Sequence, residues 1–230
     1  MGWGWWWEVG VGLRKSKNAQ GVVWGKSLGF TGFFWGWQNS ARFMLSQGTM
    51  KQAIFLERDG ILNLVPAGRP LRWTPPTLAE FRVNEEAAPL LERLRAVGFR
   101  LIATTNQPGL SDGRVARREV DRMHELLRAR LPLDDILVCP HGEGEGCPCQ
   151  KPRPGLFTEA AFKWQLNLER CFVVSDKWQD AAAARMAGCT SLLIRSPAMS
   201  VVHYDIALPN LEVIVERILK MHAFGQVLAA

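Results

Sequence analysis

The run Ile54-Phe55-Leu56-Glu57-Arg58-Asp59-Gly60-Ile61-Leu62-Asn63 constrains this chain more than any other. Its apolar head, Ala53 to Leu56, is too short and too uniformly apolar for an amphipathic helix and reads as a buried strand. Side chains alternate along a strand, so Glu57 and Asp59 leave its end pointing the same way. Two carboxylates crowded at the rim of a buried strand resist ionising unless something cationic sits between them. Magnesium would meet that need, since it prefers hard oxygen ligands and accepts phosphate oxygens beside them. A strand entering a tight acidic turn is the plainer alternative, and this stretch alone does not choose.

Downstream, strands and helices alternate. Residues 60 to 84 are loop-like, because Pro66, Pro70, Pro75 and Pro76 forbid long regular structure. A helix is expected over 85 to 97 with Ala88, Leu91, Leu94, Ala96 and Val97 inward, stopped by Gly98. The strand 99 to 105 ends at Asn106-Gln107-Pro108-Gly109. A second helix, 114 to 130, turns Val115, Val120, Met123, Leu126 and Leu127 inward, and 136 to 138 is a short strand running into Cys139. Helix 155 to 166, strand 171 to 175, helix 178 to 187, strand 191 to 194 and an amphipathic helix over about 210 to 221 complete the series. This order predicts an α/β fold: a Rossmann-like parallel sheet with helices on both faces and no large cap domain. In such sheets chemistry collects outside the carboxyl ends of the strands, where Glu57, Asp59, Thr105 and Asp176 all fall.

Charge narrows the partners. The formal net charge is +6, but residues 1 to 49 carry Arg14, Lys15, Lys17, Lys26 and Arg42 against Glu8 alone. The remainder, with 23 basic and 21 acidic groups, is nearly neutral and lacks a basic stripe, which argues against nucleic-acid binding. Residues 1 to 49 also hold seven of the ten tryptophans, with glycine interleaved and no sustained periodicity. They are expected to be a disordered or loosely packed leader preceding a natural start at Met50, and an aromatic membrane-surface anchor is the rival reading. Lys26 and the glycines interrupt the apolar stretch 21 to 37, so neither a membrane span nor stable membrane association is expected. The body reads as a cytoplasmic monomer.

Three of the five cysteines fall within eleven residues. Cys139-Pro140-His141 and Cys147-Pro148-Cys149 offer three thiolates and one imidazole, a set suited to tetrahedral Zn²⁺ with no position left for water. The intervening Gly142-Glu143-Gly144-Glu145-Gly146 has nothing apolar to pack, so a structural zinc is expected to staple this loop. Cys171 and Cys189 lie in apolar contexts and read as core residues. Lys151, pinned between the loop and Pro152 and Pro154, is placed as a phosphate-binding cation would be. Asp176 and Asp180, four apart at a strand-to-helix junction, suit metal ligation or an N-cap.

In this order, Glu57-Arg58-Asp59-Gly60, Thr105-Asn106-Gln107, Lys151-Pro152 and Ser175-Asp176 through Asp180 resemble the four motifs of haloacid-dehalogenase-superfamily phosphatases. The cysteine-rich loop before the lysine is similar to that of the heptose bisphosphate and histidinol-phosphate phosphatases within it. The resemblance covers about residues 52 to 195. It implies a phosphomonoester hydrolase acting on a small sugar phosphate, heptose 1,7-bisphosphate before histidinol phosphate. Residue 57 would attack phosphorus, and Asp59 would act as general acid and then base. Mg²⁺ would be held by the side chains at 57 and 176 and the carbonyl of Asp59, with Asp180 in support. Thr105 and Lys151 would bind phosphoryl oxygens, and Asn106 and Gln107 would contact substrate.

The chain departs from the family at the nucleophile, which is Glu57 in place of aspartate. The extra methylene moves the carboxylate by about 1.5 Å. A misplacement of about 1 Å can cost on the order of 10²-fold in rate. Either the backbone accommodates the longer side chain or turnover is impaired, so a catalytically silent phosphosugar-binding or regulatory protein is the rival. Gln150 stands where the family usually has arginine, and Ser175 where it has glycine.

Overall fold

The computed structural model describes residues 51–70, 73–195 and 204–229, with side chains described as far as 225. The chain divides into two units, Met1–Gly48 and Thr49–Ala230, and the described residues all belong to the second. The leader expected over residues 1 to 49, and the start at Met50, lie outside the described residues.

Six parallel strands form one sheet in the order β3-β2-β1-β4-β5-β6. They are β1 Ala53–Glu57, β2 Arg100–Asn106, β3 Asp135–Cys139, β4 Phe172–Ser175, β5 Thr190–Ile194 and β6 Ile206–Leu208. The helices are α1 Ala87–Ala96, α2 Arg117–Arg130, α3 Gly155–Trp164, α4 Trp178–Ala187 and α5 Leu211–Ala229. β1 lies between β2 and β4, so all five of its residues are buried, which is why it reads as an unbroken apolar run.

Strand alternation divides the interior into two cores. Ile54 and Leu56 of β1, Leu101 and Ala103 of β2 and Val174 of β4 face α1, α2 and α5. Ala53, Phe55, Ile102 and Val173 face α3 and α4, where Phe55 meets Phe157 at 4.7 Å between ring centroids. Cys171 and Cys189 belong to this second core, as expected. The connections from β1 through to β5 each return a helix to one of these faces, and among the described residues no further domain interrupts the series.

The chain winds outward from β1 to β3 on one side and from β4 to β6 on the other, so the strand order reverses between β1 and β4. A crevice opens at the carboxyl edge of such a switch point. Register brings the site residues there. Glu57 pairs with Thr104, Asn106 with Cys139, and Leu56 with Val174, so Thr105 and Asp176 leave their strands just beyond the level of Glu57.

Three details differ from the sequence reading. Ala96 and Val97 are exposed, because α1 buries only Ala87, Leu91 and Leu94 before Gly98, at φ +95°, turns the chain into β2. On α2 the buried residues include His124, whereas Leu126 is only partly covered. β6 was not expected. It is a three-residue edge strand held by Asp205, whose Oδ2 accepts from the Ser191 amide and hydroxyl, both at 2.7 Å. Among the described residues no helix is long and apolar enough to cross a membrane.

Candidate active site

Glu57 follows Phe55 onto the face covered by α3 and α4, and therefore meets the residues that precede those helices. Lys151 arrives ahead of α3 on a fixed backbone. Asn106 Nδ2 donates to its carbonyl at 3.0 Å, while its amide donates to Asn106 Oδ1 at 3.1 Å. From there Lys151 Nζ donates to Glu57 Oε2 and to Asp180 Oδ1, the latter at 2.6 Å, with Thr104 O at 3.4 Å. All three side chains are at least 96% buried. Burial opposes ionisation of Glu57, but the charges of Lys151 and Lys177 overcome it and hold the carboxyl near pKa 2. Asp180 goes the other way: burial, aided by the nearby Glu57 charge and opposed by Lys151, raises it to about 7.

A second buried cation completes the arrangement. Lys177 Nζ donates to the Asp59 carbonyl and to Asp176 Oδ1 (3.1 Å), and lies 3.7 Å from Glu57 Oε1. Glu57 thus presents one oxygen to each lysine. Burial works against the Lys177 charge, yet the acids around it raise its pKa. Ser175 Oγ accepts from the Lys177 amide at 3.0 Å, so the serine that replaces glycine helps to set the turn into α4. The opposite wall is Gly60, at φ +105°, where an added Cβ would stand 2.9 Å from Asp176 Cγ. Two carboxylates and one backbone carbonyl therefore converge on a single positive centre. These are hard oxygen donors from the three groups expected to hold Mg²⁺, and the donor set fits that ion.

The carboxylate of Asp59 turns away from this centre and has its own cation. Arg58 donates to Asp59 Oδ1 from Nε (3.1 Å) and Nη2 (3.0 Å), and from Nη2 to Oδ2 (3.0 Å). Thr105 Oγ1 (3.3 Å) and Gln107 Nε2 (3.1 Å) also donate to Oδ2, and Gln107 donates to Thr105 Oγ1 at 2.8 Å. Both Thr105 and Gln107 are fully or almost fully buried. Their polar groups therefore serve Asp59, while Glu57, Asp59, Asn106 and Lys151 line the cavity. Where one cation between two carboxylates was expected, the chain supplies one or more for each.

The sulfur and nitrogen ligand atoms of Cys139, His141, Cys147 and Cys149 all lie within 4.8 Å of one another. Cys139 and Cys147 Sγ are 3.7 Å apart, Cys147 and Cys149 Sγ 3.6 Å, and His141 Nδ1 is 3.2 Å from Cys149 Sγ and 3.6 Å from Cys139 Sγ. With Zn–S about 2.3 Å, tetrahedral ligation puts sulfurs about 3.8 Å apart, so the cluster is preshaped for zinc. The loop is tied into the site at both ends. The Gln107 amide donates to Cys139 O at 2.8 Å, and the Gly155 amide to Pro148 O at 3.0 Å. Gln150 Nε2 donates to His141 O at 3.3 Å.

A cavity of about 620 Å³ opens over Glu57 and Asp59. Its outer walls include Trp73, Pro76, Arg114, Gln150 and Trp178. Sequence reasoning passed over Lys177, Arg58 and His124. A lone lysine beside an aspartate ordinarily belongs to a solvated turn. His124, however, stands in the stripe Val120, Met123, His124, Leu127, a spacing at which a polar residue signals a buried role.

Comparison with known proteins agrees with this geometry. A family model described as HAD-hydrolase-like matches residues 148–205. The chain is 30% identical, over 73% of its length and 97% of the relative's, to a D-glycero-beta-D-manno-heptose-1,7-bisphosphate 7-phosphatase of Helicobacter pylori. It is 29% identical to the histidine biosynthesis bifunctional protein HisB of Campylobacter jejuni, over 62% of this chain and 41% of that one. A crystal structure of D,D-heptose 1,7-bisphosphate phosphatase from B. bronchiseptica, complexed with magnesium and phosphate, superposes with a TM-score of 0.65 at 26% identity, covering 75% of this chain and 99% of that one. The fold, the rim of carboxylates and lysines, and the likeness along nearly the whole of a phosphatase agree: the chain belongs to the HAD-like hydrolases, among relatives that are phosphate-monoester phosphatases.

Proposed function

We propose that this chain is a Mg²⁺-dependent, zinc-stapled phosphatase that hydrolyses a sugar phosphate of the heptose 1,7-bisphosphate class, acting as a cytoplasmic monomer. The observation that carries the reading is Glu57 held as an ionised carboxylate between Lys151 and Lys177 at the floor of the cavity, with Asp59 two residues on. A Glu57 oxygen attacks phosphorus, and the bond to the sugar oxygen breaks as Asp59 delivers its proton to the leaving alcohol. Asp59 then takes a proton from water, which attacks the acyl-phosphate and releases inorganic phosphate and free Glu57. Lys151 offsets charge on the transferring group while Asn106 fixes the lysine backbone. Magnesium held by Glu57, the Asp59 carbonyl and Asp176 would supply positive charge against the phosphoryl oxygens. Zinc on Cys139, His141, Cys147 and Cys149 would hold the loop that delivers Lys151.

One observation favours a silent phosphosugar-binding homologue: each Glu57 oxygen faces a lysine, and the longer side chain shifts its oxygens from where aspartate would put them. Phosphate release from heptose 1,7-bisphosphate and histidinol phosphate, measured for wild type, Glu57→Asp and Glu57→Gln, decides. Turnover in wild type that rises in Glu57→Asp and vanishes in Glu57→Gln is the expected result. Preference for histidinol phosphate would move the substrate to that alternative. No turnover in wild type or Glu57→Asp, with ligand binding retained, would refute the phosphatase reading.

A further inference from the structure

The middle residue of the acidic motif, Arg58, is fully buried. Removing a guanidinium from water is expensive, and apolar residues of similar volume often serve stability as well or better. A role beyond packing is therefore to be sought in what the guanidinium holds. Nε and Nη2 grip both oxygens of Asp59, and the cation lies 5.6 Å over the Phe81 ring. Nη1 reaches Nε2 of His124 at 3.2 Å. A guanidinium can only donate, so His124 Nε2 must accept, which makes this imidazole neutral with its proton on Nδ1. Burial, then the Arg58 charge, lowers the His124 pKa to about 3, in keeping with that state. His124 occupies a core-facing slot of α2 that an apolar residue could have filled.

We propose that Arg58 and His124 are a positioning pair: the imidazole fixes the guanidinium, and the guanidinium fixes the Asp59 carboxylate for proton transfer. Neither residue of the pair lines the cavity over Glu57, so it acts through Asp59. Together with Thr105 and Gln107, which like the pair do not line the cavity, it engages both Asp59 oxygens, so the carboxylate cannot rotate freely between arrival of the sugar phosphate and departure of the alcohol. This inference rests on the acid–base role given to Asp59 above.

The test compares His124→Leu, which removes the imidazole acceptor facing Nη1, with His124→Gln, which restores an acceptor. Arg58→Lys, Arg58→Met and Asp59→Asn complete the set, made in wild type and in the Glu57→Asp background. kcat and KM for the sugar bisphosphate and p-nitrophenyl phosphate are read beside the melting temperature. His124→Leu and Arg58→Met should lose about 10- to 100-fold in kcat, as a misplacement near 1 Å does, with KM little changed. His124→Gln should recover most of the loss, and Arg58→Lys, with charge but no fork, should not. A purely structural pair would lower the melting temperature of His124→Leu while the folded enzyme kept its kcat, and that result overturns the inference. Asp59→Asn turning over like wild type would instead overturn the acid–base reading beneath it. Absence of turnover in both parent proteins removes the two together.

Discussion

Gly60→Ala probes the geometry on which the cation site depends. Gly60 sits at φ +105°, beyond the left-handed helical region that other residues occasionally adopt. A Cβ there imposes backbone strain on the order of 1–2 kcal/mol. It would also stand 2.9 Å from Asp176 Cγ and closer still to Oδ2, distances at which something must move. The turn is pinned by the Gly60 amide bonded to Asn63 O at 3.0 Å and by the Leu62 and Asn63 amides both bonded to Arg58 O at 3.0 Å. The carboxylate of Asp176 is therefore the part that yields, and it moves away from the shared cation centre. Gly68→Ala is the control, because Gly68 has φ +83° but nothing within 4 Å of its added Cβ. Both variants should lose about 1–2 kcal/mol, a fall of roughly 2–8 °C in melting temperature for a chain of this size. Only Gly60→Ala should weaken Mg²⁺ binding, by about tenfold or more, in calorimetric titration. Identical Mg²⁺ isotherms for the two variants would refute the assignment of Asp176 to the cation.

Lys151→Met leaves Glu57 and Asp180 facing each other without their shared cation, so about 3–5 kcal/mol of stability should be lost, read by urea unfolding. The Asp180→Asn change should restore part of that loss in the double variant, and absence of rescue would contradict the shared-cation arrangement. Purified protein should carry zinc at one equivalent per chain, and Cys147→Ser or chelation should remove it. The glycine-rich stretch 142–146 should then become sensitive to protease and activity should fall, checked by elemental analysis and limited proteolysis. His124 has a folded-state pKa depressed to about 3 from the ordinary histidine value of 6.5, through burial and then Arg58, Arg128 and Arg117. Its contribution is therefore complete above pH 6.5 and is lost as pH falls from 6.5 toward 3, reaching about 2 kcal/mol at pH 5. Wild type should lose that much more stability than His124→Gln between pH 7.5 and 5, and parallel curves would reject it.

Much of this was legible because local pattern and tertiary demand coincide. The unbroken apolar run of β1 marks a central strand, and Gly188, at φ +81°, ends α4 where the sequence predicts. Carboxylates at strand ends then meet at one rim because parallel topology aligns those ends. What escaped the sequence is held by distant partners. β6 has three residues, too few for an alternation, and its anchor is the contact of Asp205 with Ser191 on another strand. Periodicity could not tell Leu126 from His124 as the inward residue, since that choice depends on Arg58 lying across from the helix. Thr105 and Gln107 were expected to face substrate, and their strand-end positions are those expected. Whether a hydroxyl turns toward the cavity or toward Asp59 is settled by the cross-chain hydrogen bonds, which no spacing encodes.

The inventory of charge explains why such a costly interior persists. Four carboxylates, those of Glu57, Asp59, Asp176 and Asp180, are packed with three cations, Arg58, Lys151 and Lys177. Raising the pKa of Asp180 to about 7 brings this group close to neutrality around pH 7, so it can be buried without a large unbalanced charge. A divalent cation added at the convergence of Glu57, Asp59 and Asp176 would turn the balance positive by about the charge of a phosphate monoester dianion. The chain's own groups are thus nearly balanced, while the site with magnesium bound would favour a doubly negative ligand. That preference does not depend on whether residue 57 is aspartate or glutamate. Exchange of Glu57 for aspartate should therefore alter kcat far more than the affinity for inorganic phosphate. Equal changes in both would mean that the extra methylene disturbs the electrostatic cradle and not only the position of the attacking oxygen.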